Sequence, residues 1–126
     1  MIRILIDTNF FTVPCQFKVD IFEEFNRLFD EEYEVFTIDL VKEELDKISK
    51  GNSKEAIAMR VGLVLIDKKN VKILKTNGKS ADRTLYNLSG PKTYIATNDS
   101  KLRYKIEAKG GKAIFLRNKS YLEKTD

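Results

Sequence analysis

The chain has 126 residues, 42% of them hydrophobic and 33% charged, with a net charge of +4. That length supports one domain with a real core and leaves no room for two. One cysteine excludes an intrachain disulfide and a multi-cysteine zinc site, and the absence of histidine excludes Ser-His-Asp and Cys-His catalysis. If the chain is an enzyme, carboxylates and a hard metal are the natural remaining means. No apolar run approaches the roughly 20 residues that cross a bilayer, and no signal-peptide pattern opens the chain, so a cytoplasmic protein without a membrane partner is expected.

Ile2 to Ile6 form a nearly unbroken apolar run that stops at Asp7, Thr8 and Asn9. Buried strands of parallel sheets have this composition because both faces are covered. Residues 10–17 read as an apolar connection holding Pro14, with Cys15 the lone thiol. Asp20 and Glu23 have capping-box spacing before a helix through about Phe29. Glu34 to Ile38 reads as a strand and Leu40 to Ser49 as a helix stopped by Gly51. Asn52 and Glu55 open a longer helix through about Lys69, and Val71 to Leu74 is a short strand. After the turn at Thr76–Lys79 come a helix from Ser80 to Leu88, the Gly90-Pro91 breaker and a buried strand from Thr93 to Thr97. Asp99 to Lys109 is a helix ended by Gly110-Gly111, Ala113 to Leu116 the last strand, and Arg117 to Asp126 a polar, basic tail. Strands alternating with helices predict an α/β sandwich around a mostly parallel sheet.

Four acids stand out by position. Asp7 ends the first strand, where open α/β sheets place their chemistry. At about 100° per residue, Glu44 falls in the apolar arc of Leu40, Val41, Leu45 and Ile48, while Glu43 and Asp46 fall outside it. Alone, Glu44 reads as readily as a rim residue paired with a lysine. Asp82 and Asp99 open helices that follow strands, and taken singly each reads as a helix cap, as does Asp39. Together, Asp7, Glu44, Asp82 and Asp99 belong at one sheet edge. Such a cluster repels itself unless a divalent cation neutralises it, and oxygen-only ligands suit Mg²⁺ or Mn²⁺. A site of that kind suits phosphodiester hydrolysis by metal-activated water.

Ile-Leu-Ile-Asp-Thr-Asn at 4–9, Lys-Glu-Glu-Leu-Asp-Lys-Ile at 42–48, Ala-Asp-Arg-Thr-Leu at 81–85 and Ile-Ala-Thr-Asn-Asp-Ser-Lys-Leu at 95–102 resemble the PIN-domain ribonucleases. The likeness extends to Leu-Arg-Asn-Lys-Ser-Tyr-Leu-Glu at 116–123, and points to small archaeal members similar to the ribosomal-RNA-processing PIN endonucleases. It implies a three-layer α/β/α fold with strand order 3-2-1-4-5 and Mg²⁺- or Mn²⁺-dependent endonucleolytic cleavage of single-stranded or structured RNA. Asp7, Glu44, Asp82 and Asp99 match the family's four acidic positions. Asn9 matches the polar residue that arranges the metal-bound water, and Thr97 and Asn98 are neighbours of the site. Many relatives carry a second aspartate where this chain has Arg83, a change expected to weaken a second metal. Lys101, Arg103 and Lys105 on the last helix, with Arg117, Lys119 and Lys124 in the tail, are the expected contacts to RNA phosphates. Phe10, Phe11 and Phe17 are either base-stacking or packing residues. Two alternatives stay open: an RNA-binding or assembly scaffold with feeble catalysis, and a ribonuclease toxin with a partner antitoxin. A homodimer is also left open.

Overall fold

The structure is a computed structural model describing residues 1–126. Its centre is β1 (Ile2–Ile6), in which Ile4, Leu5 and Ile6 are completely buried. β1 pairs in parallel with β2 (Tyr33–Ile38) on one side and β4 (Thr93–Ala96) on the other. β3 (Lys72–Leu74) extends the sheet beyond β2, and β5 (Lys112–Arg117) extends it beyond β4. Adding β6 (Tyr121–Lys124), antiparallel to β5, gives the order β3-β2-β1-β4-β5-β6. The expected order 3-2-1-4-5 is thus present, with a sixth strand at its edge. Helices flank the sheet in a three-layer α/β/α arrangement. None is long and apolar enough to cross a membrane.

This order places the site. The chain leaves β1 toward β2 and β3, then returns to pair β4 on β1's other side. The carboxyl ends of β1 and β4 therefore lie side by side where the winding reverses, and such reversals open a crevice above the sheet. Ile6 is opposite Ala96 in the register, so Asp7 and Thr97 emerge next to each other.

Residues 10–17, expected as an apolar connection, are helical: a 3₁₀ turn at Thr8–Thr12 runs into α1 (Val13–Phe17). Pro14 sits in the first turn of α1, where its missing N–H has no intrahelical acceptor to lose. Asp20 caps α2 (Ile21–Leu28) as expected, accepting from Phe22 N and Glu23 N at 3.1 Å each. α3 covers Asp39–Ile48. α4 (Lys54–Lys68) is capped by Ser53, whose hydroxyl accepts from Ala56 N, so the expected cap at Asn52 was one residue early. Ser80 caps α5 (Ala81–Leu88). α6 (Ser100–Ala108) closes in a Schellman motif: Gly111 N donates to Ile106 O, Gly110 N donates to Glu107 O, and Gly110 takes φ +87°.

The tail is the largest departure from expectation. Leu122 is its single fully buried residue, so no alternating pattern announces β6. The outer edge of β6 is tied to α2, with Leu122 N donating to Glu24 Oε1 at 2.8 Å and Arg27 Nη2 donating to Leu122 O at 2.6 Å. Those side chains occupy backbone groups that an exposed edge strand would offer to another chain. Because Leu122 belongs to the core, Leu122→Ala should lower the unfolding free energy by about 2–5 kcal/mol in urea denaturation. A loss of less than about 1 kcal/mol would mean that the tail does not pack as placed.

Candidate active site

Asp7 is only 4% exposed, and its carboxylate is held at both oxygens. Thr8 N donates to Oδ1 at 2.8 Å, and the buried Thr97 hydroxyl donates to Oδ2 at 2.7 Å. Thr97 Oγ1 also accepts from Asp99 N at 3.1 Å, so one hydroxyl joins the end of β1 to the start of α6. Burial pushes the Asp7 carboxyl up to about 6. The two hydrogen bonds oppose that rise, and the nearby charges of Asp82 and Glu44 add to it.

Asp7, Asn9, Glu44, Asp82 and Asp99 border one cleft of about 400 Å³. Glu44 is exposed rather than buried: Val41 and Leu45 are the true centre of α3's apolar face, with Leu40 and Ile48 only half-buried, and Glu44 stands at the margin of that face over the cleft. The neighbouring Glu43 does not line it. Asp82 is not a cap, since Ser80 holds that position, and neither Asp82 nor Glu44 makes a hydrogen bond or ion pair through its carboxylate. Asp99 is a cap, its Oδ1 accepting from Lys101 N and Leu102 N, and it lines the cleft as well. Asn9 Oδ1 accepts from Asn98 N at 3.2 Å, and Asn98 Oδ1 accepts from Leu116 N, so the two amides brace the rim. Asp39 lies elsewhere, tying α3 to the loop after β3. Hydrogen bonds from the Thr76 hydroxyl and N–H hold its carboxyl below the usual range.

Among the cleft residues that escaped the reading of the sequence, Glu55 and Thr8 bear most on its chemistry. Glu55, on the first turn of α4, is a fifth acid at the rim, and its only sequence signal was a capping pattern. Thr8 lines the cleft with a buried hydroxyl that has no hydrogen-bond partner. Its placement between Asp7 and Asn9 was the one available clue. The donor set is carboxylate, amide and hydroxyl oxygen, which fits a hard divalent cation. No three of the acids stand close enough together to grip one ion with their side chains as placed.

The expected RNA contacts divide between two further grooves that also touch Asp99. Lys101 and Lys105 line one between α5 and α6, joined there by Arg83. Arg103 and Arg117 line the other, beside Phe17, Asn98 and Phe115. Arg103 stacks 3.9 Å over the Phe115 ring, and Arg117 pairs with Glu123 at 2.8 Å. Lys119 sits on the β5–β6 turn in left-handed backbone and lines neither groove, and Lys124 lies over Phe29. Phe10 and Phe11 are completely buried and act in packing, while Phe17 is half-buried at the second groove.

A sheet wound this way, with acids at its switch point, is the architecture of a known family. The chain belongs to the PIN-like domain family, whose sequence model, described as "PIN like domain", matches residues 4–119. It is 28% identical over 128 aligned residues to Ribonuclease VapC4 of Methanocaldococcus jannaschii, an alignment covering 98% of this chain and 96% of that protein. Among solved structures, the PIN domain endonuclease Utp24 superposes with a TM-score of 0.75 at 24% identity, over 95% of this chain and 88% of that one.

Asp7 gives the site a pH signature. The folded state keeps the Asp7 proton up to about pH 6, whereas an unfolded aspartate loses it near 3.8. Between those values the folded state binds more protons, so stability falls as pH rises, reaching a loss of about 3 kcal/mol above pH 6. In metal-free protein, the stability of Asp7→Asn relative to the parent should therefore climb by about 2–3 kcal/mol between pH 4 and 7. Urea denaturation across that range checks it, and a flat difference would show that the carboxylate is not buried.

Proposed function

We propose that the chain is an endoribonuclease that hydrolyses RNA phosphodiester bonds with the help of Mg²⁺ or Mn²⁺. The observation that supports this reading most is the buried, doubly hydrogen-bonded Asp7 at the switch point, with Glu44, Asp82 and Asp99 bordering the same cleft. Kinship to a protein named a ribonuclease, over nearly its whole length, supports the choice of RNA.

Asp7, Glu44, Asp82 and Asp99 are the groups to hold the ion, which would supply phosphate charge neutralisation and a water acidic enough to attack at neutral pH. Asp7 is oriented by its two hydrogen bonds, leaving its remaining lone pairs to the cleft. Asp99 commits Oδ1 to the start of α6 and keeps Oδ2 free. Glu44 and Asp82 are exposed and unpaired by comparison, and so free to turn toward added positive charge. Asn9 spends its Oδ1 on Asn98 and has its Nδ2 left to donate to a phosphate oxygen. Cys15 is absent from the cleft lining and no histidine exists to activate a hydroxyl, so on this reading water is the nucleophile.

One observation favours a second reading, an RNA-binding scaffold without turnover: no three of the acids already stand close enough to share an ion. The two readings separate in one assay on ribosomal RNA and on an unstructured oligonucleotide. The endonuclease reading expects internal cuts leaving 5′-phosphate ends, lost in EDTA and restored by Mn²⁺ or Mg²⁺. Asp7→Asn and Asp99→Asn should each lower kcat by on the order of a hundredfold or more; asparagine still caps α6, so Asp99→Asn should fold. Undiminished cutting in both variants would refute the assigned roles. Metal-independent RNA affinity with no cutting would establish the scaffold.

A further inference from the structure

α6 is a ridge between two grooves, and its two flanks differ in their charges. Lys101 and Lys105, one helical turn apart, face α5; Arg103 points to the other side. Across the groove stands Arg83, from the first turn of α5. The space between is about 740 Å³, the largest concavity in the molecule. Its mouth is formed by Asp82 and Asp99, which also border the cleft holding Asp7.

The three cations are unspent. The chain's four ion pairs use Arg27, Lys42, Lys72 and Arg117, and no side-chain hydrogen bond involves Arg83, Lys101 or Lys105. They remain unpaired although Asp82 and Asp99 line the same groove. Three like charges around one concavity repel each other, and an anion lying among them removes that repulsion. A compact anion would meet the two acids at the mouth. An extended polyanion avoids that conflict: its phosphates alternate along the strand, one falling between the cations while the next reaches the acidic cleft.

We propose that the α5–α6 groove is a phosphate subsite for the RNA strand adjoining the scissile bond, with Arg83 as its anchor. This rests on the endoribonuclease reading and adds to it where the flanking strand runs and which residue holds it. Arg83 is the natural anchor because a guanidinium grips a phosphate through two parallel N–H donors, whereas an ammonium acts as a point charge. On this account Arg83 is a substrate-holding residue, not a defect in a metal site. Lys101 and Lys105 supply further charge without sequence preference.

The test pairs cleavage kinetics in Mn²⁺ with RNA affinity in EDTA across a salt series, using the full chain. Arg83 is exposed and its side chain touches no partner, so Arg83→Gln should fold; circular dichroism and the unfolding midpoint check that. Arg83→Gln should raise KM on the order of tenfold with kcat little changed, and reduce the slope of log affinity against log salt by about 0.7. Arg83→Lys should restore the slope and only part of the KM. Lys92→Gln, at the opposite end of β4, should change neither. If the parent cuts RNA but Arg83→Gln leaves KM and slope untouched, the groove proposal is overturned and the nuclease reading stands. If the parent binds without cutting and Arg83→Gln still lowers the slope, the groove stands and the nuclease reading falls. If the parent neither cuts nor binds RNA, both are overturned.

Discussion

Asp7 carries its charge at the end of a strand whose side chains are almost sealed from water, and much of the molecule around the switch point serves to keep it there. Its N–H donates to Ala96 O at 2.9 Å, continuing the β1–β4 ladder past the last strand residue. On the other side, the Thr37 hydroxyl donates to Ile6 O at 2.7 Å. The Thr97 hydroxyl then takes Asp7 Oδ2 and the Asp99 amide at once, which fixes the start of α6 relative to β1. Two hydrogen bonds do not offset the desolvation of the charge: with the carboxyl raised to about 6, ionisation at neutral pH costs about 3 kcal/mol. A domain stable by only about 5–15 kcal/mol tolerates such a penalty where function requires the charge.

Charge in this chain is sorted by place. A net of +4 would describe a mildly basic surface, yet the crevice at the sheet's switch point is bordered by five carboxylates, from Asp7, Glu44, Glu55, Asp82 and Asp99. Cations stand on both flanks of α6 just beyond them. An acidic centre with basic shoulders attracts a polyanion more strongly when a cation neutralises the acids, so metal and RNA should favour each other's binding.

The features legible in the sequence were those with a period or a terminus behind them. Helical periodicity set Glu44 apart from Glu43, and Glu44 alone of the two lines the cleft, although it lies less deep than the periodicity set it, because Leu40 and Ile48 are edge residues of their face. Gly110-Gly111 announced the end of α6, and the apolar run from Ile2 announced β1. The 3₁₀ turn after Asp7 was hidden because its packing residues, Phe10 and Phe11, fit a buried loop as well as a buried helix. β6 was hidden because a four-residue strand with one core residue has no pattern to read. Helical arithmetic also aimed Arg83 away from the apolar arc of α5, as observed, but no single-helix argument could reveal that α6 faces it with two lysines.

The central claim is that Asp7 and its neighbours form a binding site for a hard divalent cation. Diffraction from crystals soaked in Mn²⁺, recorded where manganese scatters anomalously, tests this most directly. The account predicts an anomalous peak between Asp7 and Asp99, with Glu44 or Asp82 drawn in toward it, and its loss in Asp7→Asn. Crystals of the parent that show no peak there at millimolar Mn²⁺, from protein that still cuts RNA in EDTA, would contradict it.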